Sequence, residues 1–143
     1  MTEQELAVAI TTPTHEGVQR AMAKIAAILP KTPLLPVEVD GVTIWCKAEM
    51  LQPIGAFKIR GAWHRLSDLN AQERARGVVG VSSGNHAQGV AWAAKKLGIS
   101  ATIVMPSNAP RMKLAATKAL GARVVLYDRA TESREAVAAA LIA

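Results

Sequence analysis

Lys58 is the residue around which chemistry can most readily be built in this chain. It lies in Gln52-Pro53-Ile54-Gly55-Ala56-Phe57-Lys58-Ile59-Arg60-Gly61-Ala62, where turn-forming residues give way to a helical pattern. Gly55 permits a tight backbone. Phe57 sets an aromatic ring directly before the amine, and Ile59, Ala62, Trp63, Leu66 and Leu69 recur at helical spacing. The helix dipole repels a cation at a helix start. That repulsion favours the neutral amine, the form Schiff-base chemistry requires. A single lysine beside a turn is ordinarily a solvated surface charge, so other residues must distinguish the two readings.

A second cluster is Ser82-Ser83-Gly84-Asn85-His86-Ala87-Gln88-Gly89, between the apolar run Val78-Val79-Gly80-Val81 and a helical pattern. In a parallel α/β sheet this is the carboxyl end of a strand, where ligands bind. The free N–H groups of a helix start attract anions. Gly84 lets a backbone approach closely, and two serine hydroxyls can hydrogen-bond, so a carboxylate or a phosphate suits the loop. Plain capping by Ser or Asn explains one of these residues without any ligand. Neither G-x-G-x-x-G nor G-x-x-x-x-G-K-[ST] is present, which disfavours a nicotinamide dehydrogenase or a P-loop enzyme.

The elements that must position these clusters are legible as a series. Residues 1–13 are polar and threonine-rich and predict a loose arm. Thr14 can cap a helix with an apolar stripe of Val18, Met22, Ile25 and Leu29, stopped by Pro30. His15, near its first turn, reads as solvent-facing rather than as a metal ligand. Pro33 and Pro36 keep the next stretch extended. Asp40-Gly41 is a hairpin signal, followed by a strand over 42–48 in which Cys46 reads as a small buried hydrophobe. The helix after Lys58 runs to about Leu69, and 70–77 reads as a turn. Three strand–helix pairs follow. The strands are 78–81, 101–105 and 123–126. The helices are 85–97, 109–120 and one capped by Thr131 that runs to the end. This alternation predicts a parallel sheet with crossover helices. The last helix has no glycine stop and no basic last turn, which reads as a chain stopping within a larger protein.

With 143 residues, 50% hydrophobic and 20% charged, the composition is that of one globular unit, and at 3% aromatics its core must be aliphatic. The net charge of +6 is scattered, without a basic run interleaved with aromatics, so a small anionic ligand suits it and nucleic acid is not expected. One cysteine excludes an intrachain disulfide. No signal peptide and no membrane-length apolar run is seen, so a cytoplasmic setting is the default.

Taken together, the two clusters resemble the fold-type II pyridoxal-phosphate enzymes, in particular the threonine/serine dehydratase and serine racemase branch. The matching text is Lys47-x-Glu49-x-x-Gln52-x-x-Gly55-Ala56-Phe57-Lys58-x-Arg60-Gly61-Ala62 and Ser82-Ser83-Gly84-Asn85-His86-Ala87-Gln88-Gly89. Thr32-Pro33-Leu34 and Val104-Met105-Pro106 match further, and the likeness runs from about Thr14 onward. The resemblance implies a tryptophan-synthase-beta-like α/β architecture, a three-layer parallel sheet, truncated here. Residues 1–70 would belong to an incomplete large cofactor domain and 71–143 to a small parallel-sheet domain.

The resemblance also implies roles. Lys58 would hold pyridoxal 5'-phosphate as an internal aldimine, then act as base and acid at the substrate α-carbon. Phe57 would pack beside the cofactor ring, and the Asn85 side chain would hydrogen-bond its phenolic oxygen. Ser83 and the backbone around Gly84, Asn85 and His86 would hold the substrate carboxylate. The reaction would be α,β-elimination from L-threonine or L-serine, giving 2-oxobutanoate or pyruvate plus ammonia, within amino-acid metabolism such as isoleucine biosynthesis. Ser83, alanine in many bacterial dehydratases, keeps open a serine racemase with Ser83 as acid/base. A 3-hydroxyaspartate dehydratase and an inactive truncated product stay open as well. A full-length member would be a homo-oligomer. The family's glycine-rich phosphate-binding loop has no counterpart among these 10 dispersed glycines, and no divalent-cation ligands are evident. The expectation is poor cofactor retention and negligible turnover for these residues alone.

Overall fold

The computed structural model describes residues 13–142. The expected N-terminal arm lies almost wholly outside the described residues. Helix α1 (His15–Ala26) starts as predicted, with the Thr14 hydroxyl accepting the Gly17 N–H at 3.1 Å. Its apolar stripe is only half used. Ile25 and Leu29 join the core, whereas Val18 and Met22 are each 59% exposed. Strands β1 (Leu34–Val39) and β2 (Val42–Lys47) form an antiparallel hairpin with Val39 opposite Val42. Both turn residues, Asp40 and Gly41, have positive φ, the geometry that suits the strands' twist. Cys46 is exposed, contrary to the expectation of burial. No described element covers either face of this two-stranded ribbon, so alternation along β2 does not translate into burial.

A 3-10 turn over Glu49–Leu51 leads to α2 (Lys58–Ser67). Residues 70–77, read as a turn, instead form α3 (Ala71–Arg76). The cause is a capping box: the Asn70 side-chain oxygen Oδ1 accepts the Glu73 N–H, and the Glu73 carboxylate accepts the Asn70 N–H. Then come β3 (Val78–Val81), α4 (Asn85–Leu97), β4 (Ala101–Pro106), α5 (Arg111–Ala119), β5 (Arg123–Tyr127) and α6 (Arg134–Ala140). The last helix is capped by the Ser133 hydroxyl, not by Thr131, which sits in a turn closed by Asp128.

The three strands pair in parallel in the order β3-β4-β5. Alternate residues of β4 point to opposite faces. Ile103 and Met105 enter the core shared with α2 and α4, while Val104 meets Tyr127 and Ala138 of α6 on the other face. The sheet is therefore the middle of three layers. Helix α2 docks on the outer side of α4, so α4 is buried on both flanks from Ala87 to Ala94. Small residues along that stretch are what let two neighbours approach it. At this contact Trp63 meets Trp92 edge-on, with ring centroids 5.9 Å apart and planes at 65°.

Candidate active site

Lys58 is the first residue of α2, and the segment before it is held by polar contacts. Gln52 is buried, and its amide donates to the Pro30 carbonyl at 3.3 Å. Gly55 has positive φ and donates its N–H to the Gln52 carbonyl at 2.7 Å. The Arg60 guanidinium then donates two bonds to Glu49, Nε to Oε2 and Nη2 to Oε1, both at 2.7 Å. The Thr32 hydroxyl donates to Glu49 Oε1 at 2.6 Å, and the Lys47 ammonium donates to the Thr32 carbonyl. Paired bonds of this kind are strong and directional. They tie the first turn of α2 to the end of the hairpin. The Arg60 hydrogen bond holds the Glu49 pKa at about 2, well below the usual carboxylate range and against the opposing effect of burial.

The Lys58 amine remains exposed, 5.0 Å from the centroid of the Phe57 ring. Both line an open cleft of about 460 Å³ with Arg60, Gly61, Ala62 and His86. His86 reaches into this cleft from the first turn of α4. Burial first, and the Lys58 charge second, push its pKa below the ordinary histidine value. The ring is accordingly biased toward its neutral form.

The loop that opens α4 has the geometry of an anion site. Gly84 stands at the N-cap position and no side chain caps the helix, so the plain-capping alternative does not describe it. Ser82 anchors the loop: its N–H donates to the Val104 carbonyl at 3.1 Å, and its hydroxyl accepts the Gly84 N–H at 3.3 Å. The first-turn N–H groups of α4 are thus left for a ligand. Asn85 turns its side-chain oxygen toward the ammonium of Lys113 on α5, leaving its NH2 end for another acceptor. Ser83 opens on a second, polar cavity of about 240 Å³, with Ser82, Pro106, Tyr127, Arg129 and Arg134 among its walls.

The structure therefore gathers Phe57, Lys58 and His86 in one cleft and sets Ser83 in a separate polar cavity, with Gly84 and Asn85 between Ser83 and His86 in the chain. Sequence reasoning gave no role to the Thr32–Glu49–Arg60 clamp, to Lys113, or to Arg129 and Arg134. The clamp was visible only as motif letters, and the three basic residues only as scattered charge. Among the described residues, no three His, Cys, Asp or Glu side chains gather as a metal site.

Comparison with known proteins bears on the family of the chain. A family model for pyridoxal-phosphate dependent enzymes matches residues 25–143. The L-threo-3-hydroxyaspartate ammonia-lyase of Saccharomyces cerevisiae is 44% identical over 135 residues, covering 92% of this chain and 41% of the yeast protein. The L-threonine ammonia-lyase of Thermotoga maritima is 45% identical over 128 residues, covering 84% of this chain and 32% of that protein. Among solved structures, maize serine racemase superimposes with a TM-score of 0.82 at 40% identity, over 88% of this chain and 40% of that one. The chain thus spans well under half the length of the curated relatives it matches. On the extent of these matches, the chain belongs to the family of pyridoxal-phosphate dependent enzymes.

Proposed function

We propose that the whole protein removes ammonia from a β-hydroxy amino acid by α,β-elimination, converting L-threonine or L-serine to the corresponding 2-oxo acid. The observation that carries this reading is the exposed Lys58 amine in a cleft flanked by the uncapped start of α4. These residues fit the family's cofactor. Lys58 supplies the amine for covalent attachment, the Phe57 ring offers an apolar wall, and the free NH2 of Asn85 suits a phenolic oxygen. Pyridoxal phosphate, when bound, supplies an electron sink for a carbanion at the substrate α-carbon. The chain's own contribution is positional and protonic. The α4 first-turn N–H groups hold the substrate carboxylate, and Lys58 Nζ takes the α-proton. The β-hydroxyl then leaves as water with the proton that Lys58 Nζ had accepted, and water hydrolyses the released enamine to the 2-oxo acid and ammonia.

The arginines at Ser83 favour a second reading within the same class. Arg129 and Arg134 suit a β-hydroxy amino acid with a second carboxylate, such as 3-hydroxyaspartate. A substrate panel tests both. In the whole protein, threonine and serine give 2-oxo acid under the first reading. Under the second, 3-hydroxyaspartate is preferred and Arg134→Gln lowers that preference. Lys58→Ala abolishes the visible absorption and the borohydride-trapped cofactor adduct. An adduct that survives Lys58→Ala refutes the cofactor assignment. Racemisation of serine without ammonia release refutes the lyase.

A further inference from the structure

Gly89 lies within the docking surface of α2 on α4, and its missing side chain is filled by a particular group. A Cβ built there would stand 3.1 Å from the Lys58 carbonyl oxygen, 3.3 Å from the Lys58 carbonyl carbon and 3.3 Å from the Ala62 Cβ. These distances are tighter than ordinary packing, and two of the three neighbours are backbone atoms of the amine-bearing residue itself. Nothing nearby can yield at low cost. Ile59 and Ala62 are 0% and 2% exposed and fix α2 in the core. Arg60 is clamped by Glu49. On the other side, Gly89 follows Asn85 by one turn of the same helix, so it is rigidly tied to the loop that opens α4.

We infer that Gly89 is a positioning residue: its lack of a side chain sets how closely the Lys58 peptide approaches the helix that carries the Ser82–His86 loop. The inference rests on reading Lys58 as the cofactor-bearing amine. Its consequence is specific. A methyl group at 89 moves the root of Lys58 by tenths of an ångström relative to the loop, and reactions between positioned groups are sensitive to displacements of that order.

The test compares Gly89→Ala with Gly80→Ala in the whole protein. A Cβ at Gly80 would meet the Ile103 Cδ1 at 3.0 Å, so it strains the same core without touching Lys58. The rate of borohydride-trapped adduct formation at Lys58 with pyridoxal phosphate is expected to fall about tenfold in Gly89→Ala. In Gly80→Ala it stays within about twofold of the parent, even where the thermal midpoint falls further. Adding Ala62→Gly to Gly89→Ala relieves only the Ala62 contact, so the slow rate persists. Parent-like kinetics in Gly89→Ala, or full rescue by Ala62→Gly, overturns the inference. Backbone NMR shifts at Lys58 and Ile59 give a readout that needs no cofactor: they move in Gly89→Ala and hold in Gly80→Ala. If the parent forms no adduct at Lys58, the cofactor reading fails, and the NMR shifts still decide the packing inference.

Discussion

The hairpin β1–β2 and the sheet β3–β5 obey the same strand rules and end in opposite environments. Every residue of β1 and β2 is exposed. In β4, Ile103, Val104 and Met105 are fully buried. The hairpin is held by its turn at one end and by the Thr32–Glu49–Arg60 contacts at the other. The sheet is held by aliphatic packing on both faces. A strand's pattern therefore predicts its conformation, whereas its burial is decided by what other elements supply. Lys58 stands where the two regimes meet. Its helix packs on the sheet side through Ile59 and is tied to the hairpin side through Arg60.

The sharpest break of this comparison comes from paired truncations. Ile103→Ala is expected to destabilise by about 2–5 kcal/mol, as for a fully buried isoleucine, and Ile44→Ala by under about 0.5 kcal/mol. Urea unfolding of both variants measures the contrast, and equal losses would erase the distinction between the regions. Next in size is the clamp. Arg60→Ala leaves Glu49 partly buried without its partner and should cost about 2–3 kcal/mol.

The same clamp predicts acid sensitivity. The Glu49 pKa is depressed from 4.5 to about 2, so its contribution is present above the unfolded value. It is lost as pH falls from about 4.5 through about 2. Stability measured across that window should drop in the parent and drop less in Arg60→Ala. The smallest effect concerns His86. Replacing Lys58 by Met removes the second cause of its lowered pKa and leaves burial, the first. An NMR titration should show the His86 pKa rising toward, without reaching, the ordinary value. No movement would mean that the two side chains do not sense each other.

Local signals account for most of what was legible in the sequence. Asp40-Gly41 specified its turn, Thr14 its cap, and the apolar runs at 78–81, 101–105 and 123–126 their strands. Two further local signals decide elements that polar composition alone does not reveal: the Asn70-x-x-Glu73 box that makes α3, and Ser133 as the cap of α6. Other features had no local signature. Cys46 needed knowledge of what faces β2. The pairing of Glu49 with Arg60 spans 11 positions and joins two elements, and that of Asn85 with Lys113 spans 28. The site was visible as a pair of motifs, but the contacts that aim Lys58 and Asn85 arise only when α2, α4 and α5 are assembled.

The placement of the three tryptophans turns this architecture into an optical gauge. Trp45, 64% exposed on the hairpin, should emit at long wavelength and be quenched freely by acrylamide. Trp63 and Trp92 sit edge-on inside the α2–α4 contact and should emit further to the blue, shielded from the quencher. A Trp45→Phe protein would then emit only from that contact. Its fluorescence would follow the seating of the lysine-bearing helix in real time, with no label attached.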